Sequence, residues 1–203
     1  MSGKWRARII GGRSYSDYEE FVCDIDILRN KMKPFIHIGL INPKSPTNVG
    51  AVLRAAGCYG VNSVYYTGHR YDRAEKYNTD TKNAKHRIPL SGVDELLQCI
   101  AKDTALVCVE LALGAQCLPN FTHPENAFYI FGPEDGTISQ DILSKATAVV
   151  YVPTIGCMNL AASVNVVLYD RLAKSDLGFA GDDLIRKSRD TNNTAKVSSS
   201  RNK

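Results

Sequence analysis

Three stretches of this 203-residue chain place polar or charged side chains directly after apolar runs, where they could do chemistry. The first runs from Asn42 to Ala56 and holds Asn48, Gly50 and Arg54. Arg54 sits in a run otherwise made of Ala, Val and Leu, so its guanidinium must find a partner or water. It pairs either with a core carboxylate or with a phosphate or reacting hydroxyl from outside. The second stretch, Phe131-Gly-Pro-Glu-Asp-Gly-Thr-Ile138, reads as a tight turn after a strand. Such a turn exposes backbone amides and carbonyls that can hold a flat heterocycle, with Glu134 bracing the turn or positioning a substrate. A plain turn before a helix is the alternative. The third, Cys157-Met-Asn159, enters a run of small residues that allows close packing against a ligand or a second subunit. Asn159 and Asn165 can equally be a helix cap and a packing polar group.

The elements around these stretches alternate. Phe35–Ile41, Val64–Thr67, Ala105–Leu111, Ala127–Phe131 and Ala148–Pro153 read as strands. Asn48–Tyr59, Val93–Lys102, Ile138–Lys145 and Asn159–Lys174 read as helices, the first capped by Thr47 or Asn48. Alternation of this kind implies a mostly parallel α/β sheet covered by helices on both faces. Ligands in such sheets bind beyond the carboxyl ends of the strands, where all three stretches lie. Residues 1–34 read as an N-terminal extension with an amphipathic helix over Tyr15–Met32. Residues 35–174 form the domain. His69–Arg87 is a polar loop or short helix, and 175–203 is a basic tail expected to be disordered.

Hydrophobic residues make up 44% of the chain, which fits a globular domain rather than a disordered one. No apolar run reaches the length of a membrane span, and the polar, basic N-terminus lacks a secretory stretch, so a cytoplasmic protein is expected. Six cysteines without C-x-x-C spacing read as reduced core thiols, and no metal-ligand or Ser/His/Asp constellation stands out. His37, His69, His86 and His123 are scattered and read as ordinary. The net charge of +4 gathers at the two ends, as in a polyanion binder or a chain kept soluble by its tails.

Taken in order, the three stretches resemble the three motifs of the SpoU family of RNA ribose 2′-O-methyltransferases, in the SPOUT superfamily. Asn48-x-Gly50-x-x-x-Arg54-x-Ala56 resembles motif one and Phe131-Gly132-Pro133-Glu134 motif two. Met158-Asn159-Leu160, with Ser163-Val164 and Val167-Leu168-Tyr169-Asp170, resembles motif three. The resemblance implies a deep trefoil knot near the C-terminus of the sheet. It implies S-adenosylmethionine bent in that knot, gripped by main chain around Leu111, Gly132, Ile155 and Leu160, with Cys157 close to it. It assigns Arg54 to activation of a ribose 2′-OH, with Asn48, Glu134 and Asn159 holding loops and substrate. It also implies an RNA substrate (tRNA or rRNA) and a homodimer whose interface uses the closing helix. Two positions depart from the pattern: Cys157 stands where the family usually has Ser, and Thr137 where motif two commonly has Gly. These departures and the basic ends leave open a non-catalytic RNA-binding or ribosome-assembly factor on the same fold.

Overall fold

The computed structural model describes residues 34–75, 88–175, 180–189 and 191–197. The expected Tyr15–Met32 helix and Cys23 lie outside the described residues, as does the 69–87 stretch beyond Glu75.

Seven strands form one sheet: β1 (Ile36–Leu40), β2 (Ser63–Tyr66), β3 (Leu90–Gly92), β4 (Ala105–Val109), β5 (Gln116–Cys117), β6 (Ala127–Phe131) and β7 (Ala148–Tyr151). Their order is β3-β2-β1-β6-β4-β7-β5, and every described pairing is parallel. The helices are α1 (Pro46–Cys58), α2 (Arg70–Glu75), α3 (Gln140–Lys145), α4 (Leu160–Ala173) and α5 (Asp182–Ser188). Within the tail expected to be disordered, α5 is a seven-residue helix with no buried residue.

Side-chain alternation along the central strands divides the core in two. Ile36, Ile38 and Leu40 of β1, with Ala127, Tyr129 and Phe131 of β6, face α1 and α4 in the larger cluster. Phe128 and Ile130 of β6 face the other way, with Leu106, Cys108, Leu96 and Ile138, and Ile142 and Leu143 of α3 pack on that cluster. All five residues of β6 are buried, as a central parallel strand covered on both faces requires.

Several expected elements are corrected. The helix expected over Val93–Lys102 is only a 3-10 turn, Leu96–Cys99. Glu95 gives it no side-chain cap and Ile100 is already extended, so one buried anchor, Leu96, does the packing. Helix α1 begins two residues earlier than expected. Its cap is Ser45, whose Oγ accepts from the Asn48 amide at 3.3 Å, not Thr47 or Asn48. Pro46 explains this, because it has no N–H to satisfy and its fixed φ suits the first helical position. Strand β4 ends at Val109, so Glu110 and Leu111 belong to the loop that follows. The cysteines are less buried than expected: Cys108 is in the core, but Cys58 and Cys157 are exposed free thiols. Among the described residues, no helix is long and apolar enough to cross a membrane.

The end of the sheet where β1 and β6 begin is tied by a polar network. The Tyr129 hydroxyl accepts from Arg171 at 3.0 Å and lies 2.7 Å from His123 Nδ1, while His123 Nε2 lies 2.9 Å from Asp170 Oδ2. Burial lowers the pKa of His123 despite the Asp170 carboxylate, and the ring lies between phenol and acid.

Gly39 sets the fit of the second core cluster. A Cβ there would stand 2.7 Å from Phe128 Cε1 and 3.0 Å from Leu96 Cδ1, closer than side chains pack. Gly39→Ala is therefore expected to destabilise the domain by about 1–3 kcal/mol through overpacking. Urea unfolding should show a lower midpoint at unchanged m-value. An unaltered midpoint would mean that Phe128 and Leu96 shift freely.

Candidate functional site

The carboxyl ends of β4, β6 and β7 open into a cleft of about 170 Å³. Its walls come from Val109–Leu111, Phe131–Glu134 with Gly136, Tyr151, Val152 and Thr154, and Cys157, Met158, Leu160 and Ser163. The second and third candidate stretches thus meet in one cavity, joined by the loop after β4.

The first stretch is fastened to that cavity by Glu134. Its Oε2 accepts from the Lys44 amide at 2.9 Å, and its Oε1 accepts from the Ser45 amide at 3.2 Å and from Asn48 Nδ2 at 3.3 Å. Burial pushes the Glu134 carboxyl up, but the hydrogen bonds from Lys44, its own backbone, Asn48 and Ser45 outweigh it, and the pKa is lowered. Next to it, Arg70 at the start of α2 grips Asp135 with two hydrogen bonds of 2.7 and 2.9 Å. Hydrogen bonding to Arg70 holds the exposed Asp135 carboxyl below its usual range.

The structure sorts the site residues that the sequence nominates. Glu134 lines the cleft and Asn48 is bound to it. Gly132, Leu111, Cys157 and Leu160 also line the cleft. Asn159 caps α4, with its side-chain oxygen accepting from the Ala162 amide at 2.7 Å. Ile155 is not among the lining residues: its side chain is fully exposed, and Thr154 faces the cleft instead. The hydrogen bond from Thr154 Oγ1 to the Gly156 carbonyl at 2.7 Å bends the loop at this point. Arg54 does not line the cleft either. It lies on the exposed face of α1 with Thr47, Ala51 and Cys58, and among the described residues no hydrogen bond or ion pair engages it. The core-carboxylate pairing that the sequence left open for Arg54 is therefore not what α1 provides.

Glu110 was missed. Its Oε1 accepts from the Leu111 amide and its Oε2 from the Ile138 amide, both at 2.9 Å. A Cβ on Gly132 would stand 3.2 Å from Glu110 Oε2, so the carboxylate lies directly across Gly132. The available signal was an acid ending the apolar run Ala-Leu-Val-Cys-Val.

A larger hollow of about 520 Å³ lies at the opposite end of the sheet, beside Pro34, Phe121, His123, Arg171 and Lys174. Its cations are already spent. Arg171 donates to the carbonyls of Pro124 and Glu125, and Lys174 to those of Leu118 and Phe121 and to Asp170. It offers little to a polar ligand, whereas the first cleft presents exposed main chain and two acids.

Residues 36–169 match the SpoU rRNA Methylase family. No curated protein matches the chain in sequence. Among solved structures, the SpoU methyltransferase AviRb from Streptomyces viridochromogenes, in complex with the cofactor AdoMet, superposes with a TM-score of 0.56 at 18% identity. That match covers 70% of this chain and 58% of AviRb, so the chain spans less than two thirds of AviRb's length. The TrmH/SpoU tRNA modifying enzyme of A. aeolicus gives a TM-score of 0.60 at 17% identity, over 76% of this chain and 84% of that one. A protein whose structure concerns the 2-OH methylation of C/U34 on tRNA gives 0.59 at 19% identity, over 70% and 91%. At these identities the likeness is one of fold.

The brace at Glu134 has a pH signature. A carboxyl whose folded pKa lies below its unfolded value stabilises the fold above the unfolded value, and that contribution is lost as pH falls through the folded one. Glu134→Gln should therefore melt below the wild type at neutral pH, with the gap closing below about pH 4. Thermal melts across that range check it, and a gap constant with pH would mean that the charge contributes nothing.

Proposed function

Because this chain belongs to the SpoU rRNA Methylase family, we propose that it transfers a methyl group from S-adenosylmethionine to a ribose 2′-OH of RNA, either tRNA or rRNA. One observation carries the reading: Glu134 lines the cleft and also holds the start of the helix that bears Arg54. Cofactor cleft and activating helix are thereby tied together.

The cleft fits the cofactor. Gly132 leaves open main chain for a flat heterocycle, in a position where a Cβ would stand 3.2 Å from Glu110 Oε2 and crowd it. The lining holds apolar groups and carboxylates but no Lys, Arg or His, which suits a cation. Bound there, S-adenosylmethionine supplies a methyl group on positively charged sulfur. Leu111, Gly132, Cys157 and Leu160 hold it, with the main chain at Ile155 closing the loop from outside.

The protein must then make a weak nucleophile react. A ribose hydroxyl needs polarisation near neutral pH. Arg54 acts by orienting the hydroxyl and an adjacent RNA phosphate with its planar guanidinium. Asn48 and Glu134 fix the loop in line for transfer, and Asn159 fixes the entry into α4.

A homodimer belongs to this reading. The exposed face of α1 that carries Arg54 is otherwise small, and Tyr169 on α4 is 61% exposed, so a second copy can lie close. Residues 35–174 are then the methyltransferase domain of a cytoplasmic enzyme, with 1–34 and 175–203 as extensions. The trefoil knot implied by the motifs is part of the same reading.

Arg54→Ala should lower methyl transfer by about 10²–10³-fold, the loss seen when a charge-stabilising donor is removed. Its melting temperature should barely change, because the side chain is exposed. The assay is transfer of labelled methyl from S-adenosylmethionine to RNA from cells lacking the protein, with 2′-O-methyl sites mapped by mass spectrometry. Transfer near the wild-type rate would remove Arg54 from the mechanism, and no detectable cofactor binding by the wild type would favour the non-catalytic factor.

A further inference from the structure

Glu110 lies outside the three motif stretches, yet it lines the cleft. Resting on the proposal that this cleft takes S-adenosylmethionine, we infer that Glu110 sets its preference for the charged cofactor over the demethylated product, S-adenosylhomocysteine.

Position comes first. Both carboxylate oxygens are fixed by backbone amides, Oε1 by Leu111 and Oε2 by Ile138, each at 2.9 Å. These amides come from two of the segments that form the cleft, so the group cannot swing away without breaking one of them. Gly132 lets it lie flush, since a Cβ there would be 3.2 Å from Oε2.

Charge comes second. The cleft lining contains two carboxylates and no cationic side chain. Glu134 is turned toward Lys44, Ser45 and Asn48, where the positive end of α1 offsets it. Among the described residues, no ion pair engages Glu110; its partners are neutral amides. Its negative charge is therefore available to the ligand.

The reaction changes the ligand's charge. As the methyl carbon bonds to the ribose oxygen, the electron pair of the broken C–S bond returns to sulfur and the hydroxyl proton passes to water. Sulfur passes from cationic to neutral while the rest of the molecule is unchanged. A unit negative charge held on the order of 6 Å from the sulfur would separate the two forms by about tenfold in affinity, at dielectric values between those of a protein surface and water. Product release is thereby favoured by the same residue that recruits the cofactor.

Isothermal titration of the full chain and of Glu110→Gln with S-adenosylmethionine and S-adenosylhomocysteine tests this. The wild type should bind the cofactor about tenfold tighter than the product. Glu110→Gln should lose most of the cofactor affinity and hold the product within about twofold, leaving the two nearly equal. If Glu110→Gln weakens both ligands in parallel, or if the wild type binds them equally, the inference is overturned and the binding site stands. If the wild type binds neither, the cofactor reading falls first and this inference with it. Should the variant fail to fold, an analogue with a protonated amine in place of the sulfonium decides the matter on the wild type alone. It should bind like the cofactor, and binding like the product overturns the proposal.

Discussion

A single carboxylate joins the parts of this site that the fold would otherwise leave separate. β1 and β6 are neighbours in the sheet, so the loops leaving them emerge side by side, and the Ile41 amide still bonds the Phe131 carbonyl at 3.0 Å. Beyond that bond the chains diverge, one into α1 and one into the 132–138 turn. Glu134 bridges them by accepting two amides and a side-chain amide from the start of α1. Helix α1 has no acidic residue in its own first turn, so the negative charge that complements its positive end comes from across the gap. Arg70 and Asp135 add a second tie from α2, exposed and weaker.

The parallel sheet explains why such a tie is needed and why it is enough. Parallel pairing sends every strand's carboxyl end the same way, so three loops distant in sequence converge, and side-chain carboxylates must join them. The strands cannot slip, because β6 is buried on both faces and a register shift would reverse two core clusters at once. At the opposite end, the polar groups of α4 and the 118–125 segment are consumed by one another and by carbonyls. Polar groups are paired there, whereas at the cleft, among the described residues, Glu110 has no ion pair.

Much of this architecture was legible in the chain. Five of the strands were visible as apolar runs bounded by turn residues, and β6 needed only its uninterrupted hydrophobicity; the edge strands β3 and β5 were not, because they are two or three residues long with no buried residue. The meeting of Gly132, Glu134, Leu111, Cys157 and Leu160 was also visible, through the motifs. Other features depended on tertiary facts. Val93–Lys102 has helical spacing, but burial of Leu96 against Gly39 and Phe128 fixes one turn and frees the rest. Thr47 and Asn48 are good capping residues, and Ser45 displaced them because Pro46 follows it. The exposure of the Ile155 side chain, beside a hydrogen bond between Thr154 and Gly156, is a local loop feature that no periodicity encodes. Glu110 escaped notice because its meaning lies in an amide 28 residues away.

The two positions that depart from the family pattern can be weighed on the same physical grounds. Positive φ favours glycine, and Asn42 is the one non-glycine residue with positive φ among the described residues, so Thr137 adopts an ordinary conformation. What the turn requires at that point is the next amide, that of Ile138 on Glu110, and a threonine before it leaves that bond intact. Cys157 lacks a hydroxyl, but the loop that carries it is already fixed by Thr154 on Gly156 and by Asn159 on Ala162, one on each side. The backbone geometry that the pattern encodes is thus supplied by neighbouring residues. An exposed thiol at the cleft wall then changes the surface met by a ligand and leaves the frame that holds it unchanged.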